Sequence, residues 1–421
     1  MAKYIIEGGV RLKGQVKISG NKNSVLPCLA ACLLTEDEVT LTNCPQIADV
    51  RVFLEILKNI GAEVTEGLDG EIKIKAKNIS AESLPKDLMI RLRASILLVG
   101  PLLARLGRIE FSHPGGDIIG KRSIETHLKG FRSLGYEFER EDKKYLGKKT
   151  RSISTDTEIF LDEPSVTATE NLLLGAVLGK GETILKNCAQ EPHVVDLCNL
   201  LNKMGAKISG TGTTTLKVTA QEKLSGAKFA ISQDYVEIGT YAIASAITFG
   251  SLTLNNCTLE DLEPITLPLR EFGVNIQKSG MNSVKIWAEN LKALDKLTVR
   301  PWPGFPTDLM SVFIVLATQA HGVTLLHDWM YESRMFFVDK LINMGASIVI
   351  ADPHRVLVHG PSKLVGRELE TPDIRAGMAL VLAGLAARGT SIINKAELIE
   401  RGYEDVVGNL TRLGVNIQRI D

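Results

Sequence analysis

Asp117 follows the glycine pair Gly115-Gly116 in HPGGDIIGKRSIETH, residues 113–127, a stretch that also holds His113, Lys121, Arg122 and His127. Paired glycines open backbone angles that other residues avoid and seldom occur inside helices or strands, so this carboxylate is expected on a flexible tip. Such a tip serves equally as a solvated turn or as a loop that carries an acid to a substrate. A second set of chemically capable residues stands where apolar stretches begin: Lys22 and Asn23, Arg93, Thr169 and Glu170, Glu237 and Thr240, Asp308, and Asp373 with Arg375. If those stretches are helices arranged alike, their N-termini gather into one focus of unpaired N–H groups. Such a focus suits anions, phosphate in particular. Thr169, Thr307 and Asp308 are also ordinary capping types. Lys22, Arg93 and Arg375 are not, because a cation at a helix start opposes the helix dipole and needs another partner.

The elements that must position these residues repeat along the chain. LKNIGAEV (57–64), FRSLGYEF (131–138), LNKMGAKI (201–208), LREFGVNI (269–276), LINMGASI (341–348) and LTRLGVNI (410–417) share an apolar helical end, a glycine and a strand start. Their glycines, 61, 135, 205, 273, 345 and 414, are 74, 70, 68, 72 and 69 residues apart. A glycine just past the last apolar helical position is the expected left-handed cap, and so regular a spacing means six copies of one unit. In phase with it, apolar helix-like stretches such as NLLLGAVLGKGETILKNC and ALVLAGLAARGTSIINK lead through a turn into β-branched strands. These first helices are apolar nearly all round, which predicts that they lie inside the sheets rather than on the surface.

Composition narrows the function classes. The chain of 421 residues is 44% apolar and 23% charged, with 49 basic against 49 acidic side chains. It reads as a soluble globular protein of about two domains, with no net field to attract nucleic acid or anionic lipid. Its longest apolar runs, 94–104 and 378–387, fall short of the roughly 20 residues a spanning helix needs. The opening MAKYIIEGGV carries no export pattern, so the cytoplasm is the expected location. Six cysteines with no CxxC and no matching histidine pair are expected to be buried reduced thiols, with neither a zinc site nor a disulfide framework.

The stretches ISGNKNSVLP (18–27), LRASILLVGPLLARLG (92–107), HPGGDIIGKR (113–122), SVTATEN (165–171), EPHVVDL (191–197), GFPTDL (304–309), YESR (331–334), DIRAGMALVLAG (373–384) and ERGYED (400–405) resemble, in order and over the whole chain, the UDP-N-acetylglucosamine enolpyruvyl transferases of the EPSP synthase superfamily. The resemblance implies the enolpyruvyl transferase fold, an inside-out α/β barrel of two lobes, each of three βαβαββ repeats, with the active site in the interdomain cleft. It implies that residues 22–232 form the lobe carrying the loop 113–122, and that 1–21 with 233–421 form the other. The implied reaction protonates phosphoenolpyruvate at its methylene carbon, lets the sugar 3-hydroxyl attack, and expels phosphate from a tetrahedral intermediate, as the first committed step of peptidoglycan synthesis. No cofactor, metal, nucleic acid, membrane or obligate protein partner is implied, only the two small-molecule substrates.

Residue by residue, the resemblance makes Asp117 the general acid, since most members carry a loop cysteine in PGGC and an aspartate-bearing subset carries this variant. Lys22, Asn23, Arg122, Arg334, Arg375 and Arg401 are implied to bind phosphoenolpyruvate, Lys22 and Arg401 being catalytic as well. Asp308 is the implied base or acceptor for the 3-hydroxyl. Asn23, Arg93, Arg122, His127, Ser165, Val166, Thr167, Asp308 and Met330 are implied around the nucleotide sugar, with a core role the other reading of His127. The chain departs from the pattern at Ser123, where a proline is usual, at Glu163, usually a lysine near the diphosphate, and at Thr167, usually glycine. KKYLGKKTR (143–151) has no clear counterpart and is expected to be a solvated hairpin, a nucleotide contact being the alternative. Rival readings are an enolpyruvyl transferase with another acceptor, such as shikimate 3-phosphate, and a catalytically silent paralogue that binds nucleotide sugar.

Overall fold

Each of the six repeated glycines ends a helix in the left-handed conformation, with φ of 95°, 87°, 100°, 92°, 101° and 95° along the chain. The preceding helices are Ala48–Asn59, Glu125–Ser133, Pro192–Lys203, Glu263–Glu271, Val338–Asn343 and Val406–Arg412. In four of them the N–H beyond the glycine reaches back five residues, as from Ala206 to the Leu201 carbonyl at 2.9 Å and from Val415 to Leu410 at 3.0 Å, closing the helix end before the next strand. The computed structural model describes every residue except 81–83, 118, 121 and 151–155. The chain divides into two units: Met1–Ser19, Asp117–Lys121 and Gln233–Asp421 form the first, Gly20–Gly116 and Arg122–Ser232 the second.

In the first unit three sheets share one topology. A short strand runs parallel to a second, which pairs antiparallel with a third, which pairs antiparallel with an edge strand: Lys13–Lys17, Ser251–Asn255, Ser283–Ala288 and Val274–Gly280 are one instance. Lys296–Thr298, Gly322–His327, Arg355–Gly360 and Ser347–Asp352 repeat it. In the third sheet the chain's start completes its end, because Lys3–Glu7 lies between Thr390–Asn394 and Ile417–Ile420. In chain order the helices Tyr235–Ile247, Met310–Gln319 and Ile374–Ala386 each lead into the second of these strands, and they pack on one another at the centre of the unit. All thirteen residues of Tyr235–Ile247 are buried, as an all-round apolar helix requires.

The second unit has the same plan. Lys228–Ala230 runs parallel to Val39–Thr42, and Thr157–Phe160 parallel to Glu182–Lys186, each followed by two antiparallel strands. Its central helices, Lys22–Ala31 and Val166–Ala176, pack against each other and against a third stretch. That third stretch differs from the single apolar helix its sequence predicts: Arg93–Leu98 is a 3-10 helix and Val99–Leu106 an α-helix. Asn171 holds the junction. Its Oδ1 accepts the Gly100 N–H at 2.7 Å and its Nδ2 donates to the Ile96 carbonyl at 2.8 Å, groups that a continuous helix would use internally.

The solvated hairpin expected at 143–151 is a hairpin only in part. Lys144–Lys149 is the central strand of its sheet, between Arg108–Ser112 and Tyr136–Glu141, and Tyr145 is buried with its ring stacked on Phe111 at 5.2 Å. Its lysines are balanced by neighbouring strands, Lys144 by Glu110 at 2.8 Å and Lys148 by Glu139, and Arg151 lies outside the described residues. All six cysteines are buried free thiols, and no helix among the described residues is long and apolar enough to cross a membrane.

Candidate active site

In the first unit the starts of the three central helices converge. Asp308 lies in the single turn Thr307–Leu309 that leads into Met310–Gln319, and its two oxygens are divided between two arginines: Oδ1 accepts from Arg334 at 3.2 Å and Oδ2 from Arg375 at 2.9 Å. Both arginines are buried, whereas the Asp308 side chain keeps 26% exposure, so the carboxylate is the accessible member of the group. Arg375 follows the cap Asp373, which takes the Arg375 and Ala376 N–H groups at 2.9 and 3.0 Å. Its guanidinium lies 5.5 Å over the Tyr403 ring, whose hydroxyl is 3.0 Å from Thr240 Oγ1. These partners answer why a cation starts a helix here. Arg334 Nε and Arg375 Nη1 are buried and meet no acceptor among the described residues.

Asp117 belongs to the same unit. Its Oδ1 accepts from Arg401 Nη1 at 2.5 Å, each side chain under one-fifth exposed, and its charge acts on Asp373. Burial raises the Asp373 carboxyl above the ordinary range while Arg334 opposes that rise. Residues beyond Asp117 are docked on the YESR stretch: the Ser333 N–H donates to the Ile119 carbonyl at 3.1 Å, and Gly120, at φ 142°, lies against Glu332. Met330 is half-buried, its N–H held at 3.0 Å by Asp328.

The second unit holds Lys22, Asn23, Arg93, Arg122, His127, Ser165, Val166 and Thr167. Asn21 caps the helix Lys22–Ala31 by accepting the Asn23 N–H at 2.8 Å, and the buried Lys22 ammonium pairs with the buried Asp49 at 2.7 Å. Arg93 donates to the Ser123 carbonyl at 2.9 Å. The glycine pair at 115–116 is closely packed. A Cβ on Gly115 would overlap the Ile90 carbonyl, and one on Gly116, at φ 104°, would stand 2.8 Å from Arg93 Cβ and 3.1 Å from Arg122 Nη2. Gly116 therefore marks the point at which the two arginines come together.

His127 is 2% exposed, with both ring nitrogens used inside the protein. Asn171 Nδ2 donates to Nδ1 at 3.1 Å, so Nε2 carries the hydrogen and donates to Thr167 Oγ1 at 3.2 Å. Burial, reinforced by Arg93, pushes the imidazole down to about 3 and keeps it neutral. The departures at 123 and 167 have local uses: Ser123 Oγ accepts the Glu125 N–H at 3.1 Å, and Thr167 completes the His127 pairing. Glu163 is exposed and accepts from Thr126 Oγ1 at 3.4 Å. Ser165 caps Val166–Ala176.

Several positioning residues escaped the sequence reading. Asp49 lies on the apolar face of its helix, in register with Val52 and Phe53, a misplaced carboxylate that was a legible signal. Asp328 gives no such signal: fully buried, it accepts from Thr307 Oγ1 at 2.5 Å and so fixes the turn that carries Asp308.

A family model described as EPSP synthase (3-phosphoshikimate 1-carboxyvinyltransferase) matches residues 6–410. The chain belongs to this family. Among the members it resembles, the UDP-N-acetylglucosamine 1-carboxyvinyltransferase of Borreliella burgdorferi is 45% identical over 100% of this chain and 99% of that protein. The protein of the same name from Treponema denticola is 43% identical over 99% of each. Of solved members, the enolpyruvyl transferase NikO from Streptomyces tendae superposes with a TM-score of 0.89 at 25% identity, covering 99% of this chain and 98% of its own. An Acinetobacter baumannii EPSP synthase superposes at 0.77 and 18% identity over 100% of both chains, a likeness of fold alone. The six-repeat architecture described above is thus the enolpyruvyl transferase fold.

Proposed function

We propose that this EPSP synthase family member transfers the enolpyruvyl group of phosphoenolpyruvate to the 3-hydroxyl of UDP-N-acetylglucosamine with release of phosphate, as the cytoplasmic first committed step of peptidoglycan synthesis. One observation carries the acceptor assignment: identity of 40–45% over essentially the whole chain to relatives named for that reaction, against 18% to a solved EPSP synthase.

The arrangement of charge supports the chemistry. Phosphoenolpyruvate brings a phosphate and a carboxylate, which planar guanidinium groups match with paired hydrogen bonds. Arg334, Arg375 and Arg401, with Lys22, Asn23 and Arg122 from the second unit, take these anions. Asp117 delivers a proton to the methylene carbon, making the adjacent carbon electrophilic. The 3-hydroxyl oxygen bonds to that carbon while its proton passes to Asp308, whose two arginine partners keep the carboxylate aimed. A methyl proton then returns to Asp117 as the carbon–oxygen bond to phosphate breaks, which regenerates the double bond, and the proton held by Asp308 passes to the departing phosphate. Asn23, Arg93, Arg122, Ser165, Val166, Thr167 and Met330 hold the nucleotide sugar, and His127 orients Thr167 as a neutral donor.

Incubating the chain with phosphoenolpyruvate and either UDP-N-acetylglucosamine or shikimate 3-phosphate tests the proposal. Phosphate release and new vinyl proton resonances are expected with the nucleotide sugar alone. Turnover with shikimate 3-phosphate only, or with neither acceptor, would defeat it.

A further inference from the structure

On the outer face of the sheet that contains Ser251–Asn255, one cross-strand row reads Trp287, Ser251, Lys13. The opposite face is core, with Leu252 and Ile286 buried. Ser251 is the short member between two long ones, and Arg11, Phe249 and Lys285 bound the resulting notch, a cleft of about 450 Å³ wholly within the first unit. That volume lies in the ordinary range for small-ligand pockets, roughly 300–1,000 Å³. None of these residues belongs to the catalytic sets above.

Two independent features single the cleft out. The first is charge. Arg11, Lys13 and Lys285 face only Glu289, although the chain as a whole is balanced at 49 against 49. Some strand lysines elsewhere have carboxylate partners, as in Lys144–Glu110, Lys186–Glu158 and Lys217–Glu182. Among the described residues no carboxylate forms an ion pair with Arg11, Lys13 or Lys285. The second is Phe249. Of nine non-glycine residues in the left-handed region among the described residues, seven are asparagine or aspartate, and Phe249, at φ 49°, is the one aromatic among them. Within three residues of the helix ends at Leu106 and Ala386 the left-handed conformation is taken by glycines, Gly107 and Gly389. A bulky residue kept in that conformation with its ring 43% exposed gives up stability for something other than packing.

We propose that this cleft binds a nucleotide, with its phosphates on Arg11, Lys13 and Lys285 and its base against Phe249 and Trp287. Three cations in one lining suit a di- or triphosphate, and the exposed Phe249 and half-buried Trp287 rings accept a base by stacking. The Lys285 ammonium rests 5.6 Å over the Trp287 ring, so a phosphate that draws it away changes the surroundings of the indole.

Equilibrium dialysis of the intact chain against labelled ADP, with tryptophan emission followed in parallel, tests this assignment. One ADP per chain is expected, with an emission change that disappears in Trp287→Phe. Affinity should fall at least tenfold in Lys13→Glu with Lys285→Glu. It should fall at least threefold in Phe249→Gly, whose Tm should rise as the strain is released, and phosphate-releasing turnover should be unchanged in every variant. Absence of saturable binding at millimolar ADP, or binding indifferent to the charge reversals, overturns the proposal. Inorganic pyrophosphate that binds as tightly as ADP, with no effect of Phe249→Gly, would make the cleft a plain anion patch. An oligonucleotide that outcompetes ADP would reassign it to single-stranded nucleic acid.

Discussion

Asp117 and Arg401, 284 positions apart in sequence, form an ion pair at 2.5 Å between Oδ1 and Nη1. The pair places the proposed acid beside a proposed phosphoenolpyruvate ligand. Truncation to Arg401→Ala removes the donor to Asp117 and, in the proposed mechanism, a charge-assisted donor to the reacting anion. Losses of about 10²–10³ in kcat accompany removal of such a donor elsewhere. Arg401→Lys, which keeps the charge without the planar fork, should recover part of that rate in steady-state assays. Equal rates for Ala and wild type would remove Arg401 from the mechanism.

Asp308→Asn separates charge from shape. The two buried arginines lose their shared counter-charge, and breaking a buried pair costs up to about 3–5 kcal/mol. Asp308 is a quarter exposed, so about 1–3 kcal/mol is the expected loss in denaturant unfolding, together with a severe drop in turnover. Added phosphate should restore stability more in this variant than in wild type, because the orphaned guanidiniums would bind it. No differential rescue would argue against an anion site at Arg334 and Arg375.

His127 and Glu237 predict opposite pH slopes. His127 titrates at about 3 in the folded protein against about 6.5 unfolded, so the unfolded chain binds the extra proton and stability falls as pH drops below about 6.5. The slope approaches 1.4 kcal/mol per pH unit for this one group, and His127→Gln should flatten it. Glu237, buried beside Asp234 and accepting the Ser19 N–H at 2.7 Å, is pushed up to about 8. Its folded value is raised, so its contribution declines as pH rises from about 4.5 through 8. Unfolding of Glu237→Gln should accordingly lose less stability between pH 6 and 9 than wild type does, and parallel curves for the two proteins would rule the assignment out.

An epoxide such as fosfomycin, which alkylates the loop thiol of cysteine-bearing enolpyruvyl transferases, meets a carboxylate here. The chain's thiols are all buried, and burial pushes Cys44 and Cys198 up to about 12, which leaves little thiolate to react. Intact-mass measurement after prolonged exposure should show no adduct, and activity should persist. A stoichiometric adduct on Asp117 would contradict this.

Much of the fold was legible because the repeat is written in backbone chemistry. A left-handed cap accepts glycine with little competition, so six glycines in phase announced six helix ends. Buried helices were legible from apolar residues on every face. The split at Leu98 was not, because its cause is Asn171, more than seventy residues away and silent in any local pattern. The same limit separates the site residues. Asp308 and Arg375 meet as their helix starts imply, and Gly116 takes the left-handed angle expected of the glycine pair, whereas the close approach of Ile90 and Arg93 to 115–116 left no local sign. Period and composition expose local backbone demands; contacts between distant side chains leave no comparable trace.

The measurement that bears most directly on the account is the pH dependence of kcat/KM for wild type and Asp117→Cys. A thiol of reference pKa about 8.5 stays protonated across neutrality, and a carboxylic acid of about 3.9 does not. If Asp117 donates the proton to the methylene carbon, the wild-type profile should fall with rising pH well before that of Asp117→Cys, and the variant should become sensitive to fosfomycin. Superimposable profiles, with Asp117→Ala retaining most of the wild-type rate, would show that the proton comes from elsewhere.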